Sequence, residues 1–269
     1  MMINLQYLID NMFEDQSDKN KIVNFIDKFI VKYIDPFIKE KFEDLSNYLN
    51  CFENCLSMGR EVIADKGLWR GKKHYILQML DKEGIRYSVP KLKMMGIETA
   101  KSSTPTIVRG SLEKAIKIIL NETEEDIQQY VNEFRNQFFK STLQEIAFPR
   151  GVNDIDKWND GKGNPKLRTP IHVKGALLFN KLIDKHHVEH KYQKIHNGDK
   201  IKFLYLKQQN PEQSNVIAFV DVFPEEFDFE KYIDYGVQFE KTFLEPLKSF
   251  TSIVGWNTEK IVTLDQWFS

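Results

Sequence analysis

The apolar positions Ile22, Phe25, Ile26, Phe29, Tyr33, Ile34 and Phe37 recur at steps of three and four, which predicts one buried stripe on a long helix over residues 18–50. Ser17 or Asp18 can cap its start by accepting from the first free N–H groups. Pro36 has no N–H and crowds the preceding turn, so it should kink or interrupt that helix. Residues 55–64 and 73–89 carry strand-type patterns, with 73–80 and 85–89 expected to form a hairpin around Asp81-Lys82-Glu83-Gly84. The first 90 residues therefore read as a helix plus a small antiparallel sheet.

Beyond Gly96 helical spacing takes over. Thr104 is the expected cap and Pro105 the expected first residue of a helix whose buried stripe is Leu112, Ala115, Ile116, Ile119 and Leu120. Thr123, followed by Glu124, Glu125 and Asp126, opens the next helix with acids at its positive end. Residues 149–170, rich in Pro and Gly, read as loop and lead into a helix over about 172–183. Short strands at 199–206 and 216–222 flank Asn210-Pro211, a last helix is expected over 228–242, and 257–269 reads as a tail. The fold class this defines is α+β.

Length and charge narrow the function. At 269 residues and 41% hydrophobic, the chain can bury one large core or two small ones. No apolar run reaches a membrane span, since Asp27, Lys28 and Lys32 break Ile22–Ile34, and Met1-Met2-Ile3-Asn4 is not the start of a secretory signal. Cys51 and Cys55 are expected as reduced thiols. The net charge of −1 conceals two basic blocks, 60–118 and 148–207, each with 13 Lys/Arg against 6 Asp/Glu. They suit a basic face that neutralises a polyanion; an unevenly charged solvated surface has the same composition.

Candidate chemistry falls inside those blocks. Lys73 and Tyr75, expected on one face of a strand after Lys72, offer charge for a nucleic-acid backbone and a ring for its sugar; a surface Lys beside a half-buried Tyr is the plainer alternative. Lys101, Ser102, Ser103 and Thr104 place hydroxyls, N–H groups and a cation at a helix start, where a phosphate can sit or simple capping can suffice. Arg150, Lys166, Arg168, His172 and Lys174 lie on a loop entering a helix, as equipment for duplex phosphates or as a solvated basic loop. His186, His187 and His190 raise the question of a metal, but no Cys or carboxylate set completes a site. Gly161-Lys162-Gly163 lacks the phosphate-loop pattern. Leu264, Trp267 and Phe268 end the chain at helical spacing, to dock on the chain itself or in a partner's pocket.

The wording of these segments in order is specific. Gly71-Lys72-Lys73-His74-Tyr75, Pro90-Lys91-Leu92-Lys93-Met94-Met95-Gly96-Ile97-Glu98-Thr99 and Lys101-Ser102-Ser103-Thr104-Pro105 resemble the palm-to-thumb passage of T-even-type phage family B DNA polymerases. The resemblance continues through Pro170-Ile171-His172-Val173-Lys174-Gly175, Glu240-Lys241-Thr242-Phe243-Leu244-Glu245-Pro246-Leu247 and Leu264-Asp265-Gln266-Trp267-Phe268. It implies a partial palm over 1–96, a mainly helical thumb over 97–256 and a clamp-binding tail over 257–269. It also implies that Lys72, Lys73 and Tyr75 hold the primer strand. Lys101 to Thr104, Lys166, Arg168, His172 and Lys174 would contact the product duplex, and Leu264, Trp267 and Phe268 the sliding clamp. Glu61 matches an acidic position near the polymerase centre, but Gly59 stands where the pattern carries an Asp.

The family's two carboxylate motifs, an Asp before Ser-Leu-Tyr-Pro-Ser and Tyr-x-Asp-Thr-Asp, do not occur in this sequence. Those aspartates hold the two magnesium ions of nucleotidyl transfer. The resemblance thus implies a nucleotidyltransferase subunit whose magnesium is held by an N-terminal polymerase subunit, with primer-template DNA and a sliding clamp as further partners. The place of action would be the cytoplasm of the infected bacterium. Met1-Met2 at this point implies a separate gene, although a truncated chain reads the same. The alternative is a non-catalytic DNA- and clamp-binding module.

Overall fold

A computed structural model describes residues 2–97 and 102–260. They form two compact units, 2–68 with 76–93, and 69–75 with 94–97 and 102–260. The mixed α+β class holds.

In the first unit a short α1 (Gln6–Met12) precedes α2 (Lys19–Phe29) and α3 (Asp35–Tyr48), which are joined by a π-helical turn at Ile30–Ile34. Asp18 is the cap, its carboxylate accepting from the amides of Asn20 and Lys21, both at 3.1 Å. The long helix is interrupted as Pro36 requires: the wider turn lies just before the proline, which takes a first-turn position of α3 where no N–H is needed. Strands β1 (Val62–Gly71), β2 (His74–Lys82) and β3 (Ile85–Met95) follow in that spatial order.

Residues 55–61, expected as strand, are irregular: the Asn54 side chain accepts from the Leu56 amide at 3.0 Å, and pairing starts only at Val62. The β2–β3 turn is the two residues Glu83 and Gly84, both at positive φ, while Asp81 lies in β2 and is fully buried. Two consecutive left-handed residues match the twist of a tight hairpin.

In this unit Val23, Ile63 and Leu80 pack together with Ile26 against them, and Ile9, Ile22, Leu68, Ile76 and Met79 are buried as well. Of the predicted helical stripe Ile22 is buried, Phe25, Ile26, Phe29 and Ile34 are half-buried, and Tyr33 and Phe37 are exposed. Val31, Tyr33, Phe37, Leu45, Tyr48 and Leu49 are exposed, as are Phe52, Leu56 and Met58 beyond them.

The second unit is better packed. Helices α4 (Thr106–Asn121) and α5 (Glu124–Phe138) lead through α6 (Leu143–Ile146) to β4 (Phe148–Gly151). Next come α7 (Ile155–Trp158), α8 (Ile171–His186), β5 (Lys200–Tyr205) and β6 (Val216–Phe219). The chain ends in α9 (Tyr235–Phe239), a π-helical turn at Glu240–Leu244 and α10 (Glu245–Thr251).

The predicted α4 stripe is buried except for half-buried Leu120, and Thr123 and Asp126 form a reciprocal capping box on α5. Thr104 is not a cap. Pro105, extended at ψ 144, takes that place without a side-chain bond, so the helix starts one residue later, at Thr106. The helix expected at 228–242 is also displaced. Asp228 is left-handed, Ile233 bridges to Leu206, and the Asp234 amide donates to the Tyr205 carbonyl at 3.0 Å, so the chain first extends beside β5. Asp234 then caps α9 by accepting from the Val237 amide at 3.0 Å.

Strands β4, β5 and β6 pair antiparallel, with Phe148 opposite Phe203 and Phe203 opposite Ala218. Helix α8 lies so close to β6 that a Cβ on Gly175 would meet the Ala218 amide nitrogen at 2.9 Å. Phe134, Phe138, Phe239 and Phe243 interlock across α5 and α9, with ring centroids 4.7–6.0 Å apart. Residues 257–260, expected in the tail, run along α5: Gln128 donates to the Asn257 carbonyl at 3.2 Å, and the Asn257 amide donates to Glu124 at 2.6 Å.

Candidate nucleic-acid interface

Lys72 and Lys73 form the turn between β1 and β2, with Lys73 left-handed at φ 61. Lys73 is therefore not a strand residue sharing a face with Tyr75; it stands at the exposed tip, while Tyr75 is half-buried on β2. The imidazole Nδ1 of His74 lies 3.0 Å from the Lys72 carbonyl. Gly96, at φ 69, backs the tip closely: a Cβ there would fall 2.4 Å from the Lys73 carbonyl oxygen and 2.8 Å from His74 Cδ2. Only glycine combines that φ with that approach. Among the described residues, Arg70, Lys72 and Lys73 have no acidic partner.

Glu61 is exposed and accepts from Lys93 Nζ at 2.5 Å, which holds its carboxyl below the ordinary range. Nearby in the same unit, Asp81 is enclosed by arginines. Arg60 Nη1 pairs with its Oδ1, the Gly84 amide donates to Oδ1 at 3.0 Å, and Arg86 Nε lies 3.1 Å from Oδ2. Asp27 completes the set, 3.1 Å from Arg60 and 2.5 Å from Arg86.

Ser102 is exposed, Ser103 half-buried and Thr104 buried, so the hydroxyls near the start of α4 do not share one surface. Lys101, Leu264, Trp267 and Phe268 lie outside the described residues.

In the second basic block, pairing divides the cations. Lys181 and Lys185 pair with Glu212 at 2.8 and 2.6 Å, and Lys194 with Asp184 at 2.6 Å. Lys191 pairs with Glu226 at 2.7 Å. Hydrogen bonds from Lys191, then backbone, then Tyr192 pull the Glu226 carboxyl down to about 2. The cations before and at the start of α8 are different. Lys166 donates from Nζ to the Lys157 carbonyl at 2.8 Å, and left-handed Arg168 is exposed. Lys174 and His172 are half-buried in the first turn of α8, and Arg150 is exposed at the end of β4. Among the described residues none of Arg150, Lys162, Lys166, Arg168 and Lys174 has an acidic partner. Cations already neutralised by carboxylates add little attraction for a polyanion; these five and the hairpin tip retain theirs.

His172 and Arg150 line one open cleft of about 570 Å³, walled by Phe148, Phe203 and Tyr205. Burial first, and the Arg150 charge second, push the His172 imidazole below its ordinary value. The spacing of His186 and His190 is not helical, because α8 ends at His186 and His187 is left-handed. Among the described residues no three His, Cys, Asp or Glu are grouped to hold a metal. Magnesium does not fit the Glu61 segment as a resident ion either, since Gly59 offers no ligand and Lys93 occupies the carboxylate.

Sequence reasoning missed Arg70 at the tip, the backing role of Gly96 and the Asp27–Arg60–Asp81–Arg86 set. A glycine directly after a strand pattern was the only local signal for any of them.

No protein-family model matches the chain. Sequence similarity nevertheless points to a class: over nearly its whole length the chain is similar to one stretch of two phage DNA-directed DNA polymerases. It is 33% identical over 263 residues, 93% of this chain, to the DNA-directed DNA polymerase of Enterobacteria phage T4. To the DNA-directed DNA polymerase of Escherichia phage RB69 it is 35% identical over 276 residues, 97% of this chain. The chain spans about 30% of the length of these curated relatives.

Proposed function

We propose that this chain is the palm-end and thumb part of a DNA-directed DNA polymerase, holding primer and product duplex while a companion polypeptide supplies the magnesium-binding aspartates. The observation that carries the reading is the separation of unpaired from paired cations. Among the described residues, the cations of the Lys72-Lys73 tip and of the segment leading into α8 stand without acids, as do others elsewhere, and these are the segments whose wording matches primer and duplex contacts. Lys73 and Tyr75 hold the primer strand; Lys101, Ser102, Ser103, Thr104, Lys166, Arg168, His172 and Lys174 serve the duplex.

The uncovered apolar side chains from Val31 to Met58 supply the surface on which the companion seats. The site of action is the cytoplasm of the infected host; among the described residues no helix is long and apolar enough to cross a membrane.

The test is primer extension by this chain, by the companion carrying both aspartate motifs, and by the two mixed. Extension is expected only in the mixture, and Lys73→Ala should slow it; a mixture with no activity removes the enzyme reading in favour of a DNA- and clamp-binding module. Extension by this chain alone removes the companion.

The sequence Leu264-Asp265-Gln266-Trp267-Phe268 carries the clamp-binding part of the proposal. Attachment to a clamp raises the local concentration of enzyme on DNA without improving its chemistry. Deleting 264–269 should shorten products made with the clamp and leave extension without the clamp unchanged. Loss of basal extension would assign the segment a structural role instead.

A further inference from the structure

We infer that the cleft between β4, β5 and the start of α8 holds one unpaired nucleotide, its base against Phe148 and Tyr205 and its phosphate on Arg150 and His172. The inference rests on the DNA-binding reading of this unit and goes beyond it, because a duplex offers no free base.

The walls suit such a ligand. Phe148 stacks on Phe203 with centroids 5.0 Å apart, and Tyr205 meets both rings edge-on at 6.3 and 6.0 Å. Phe203 is buried, so it backs Phe148, whose ring is half-exposed. Every base has a π face, so an aromatic wall accepts bases without selecting among them. The volume, about 570 Å³, lies within the roughly 300–1,000 Å³ usual for small-ligand sites.

The charges favour an anion. Lys241 is ion-paired with Glu245, the acidic member of the lining, so the two largely cancel. Arg150 then opposes the protonated form of His172, and neither has a carboxylate of its own among the described residues. Tyr205, raised by burial, stays neutral. A phosphate relieves that repulsion and favours the protonated imidazole, so binding takes up a proton. Affinity should therefore rise as pH falls from about 8 to about 6.

The experiment titrates the full chain with fluorescent eight-nucleotide oligothymidylate, with thymidine monophosphate as competitor, and separately with a blunt duplex. Arg150→Gln alters an exposed side chain with no bond to maintain, which keeps the test valid if Phe148→Leu unfolds. Each variant should weaken oligothymidylate binding at least about fivefold, the lower end of a base–aromatic contact. Phe148→Leu should leave duplex binding unchanged. Competition by the monophosphate assigns the site to free nucleotide; its failure to compete assigns it to a nucleotide within a strand. Unchanged strand affinity in folded variants overturns the inference. So does equal weakening of strand and duplex by Arg150→Gln when Phe148→Leu has no effect, which reports a phosphate contact only. Duplex binding that depends on Lys73, together with oligothymidylate binding indifferent to both Phe148 and Arg150, retains the grip and discards the cleft.

Discussion

Replacing Asp81 with alanine should cost the first unit about 3–5 kcal/mol, the usual penalty for removing one partner of a buried ion pair. Asp81 has no exposed surface, and it faces both Arg60 and Arg86. Asp27 touches the same two arginines, but it is half-exposed and one carboxylate cannot balance two guanidinium groups. The loss also reaches the β2–β3 turn, where the Gly84 amide gives up the acceptor that holds it at 3.0 Å. Hydrogen exchange along β2 and β3 should become fast in Asp81→Ala while α5 and α8 stay protected. A change below about 0.5 kcal/mol, the level of an ordinary surface substitution, would show that the network is idle.

The second large effect is expected from Gly96→Ala. A left-handed non-glycine residue costs roughly 1–2 kcal/mol, and here the added Cβ also strikes a backbone carbonyl at 2.4 Å. A carbonyl in a tight turn cannot rotate away as a long side chain can, so the Lys72-Lys73 tip must shift. Primer-template affinity should fall roughly tenfold, and Lys73→Ala should fall by a similar factor. The decisive measurement is the double variant. If the glycine acts through the tip, Gly96→Ala adds little once Lys73 is gone, whereas independent contributions multiply. Multiplicative losses would detach Gly96 from primer holding.

Several elements were legible because their causes are local. Thr123 and Asp126 stand at capping-box spacing, and the cap forms whatever lies around it. Pro36 interrupts its helix because the missing N–H is a property of the residue. The α4 stripe needs only a partner on one side, and α5 supplies it. The Lys73 turn was misread because alternation continues through a two-residue turn without a break in pattern. The 228–242 helix starts only at Tyr235 because pairing of Ile233 with Leu206, 27 positions earlier, outcompetes local helical spacing over its first part.

The sequence by itself determined the Asp18 and Thr123 caps and the break at Pro36, that the class is α+β, that two basic blocks exist, and that the wording is similar to that of phage DNA polymerases. Only the tertiary structure decided which cations stand beside an acid that offsets their charge. Pairing of Lys181 and Lys185 with Glu212, or of Lys191 with Glu226, joins positions about 30 residues apart. Coulomb energy depends on distance in space and on exposure to water, and neither is encoded in the spacing of residues along a chain.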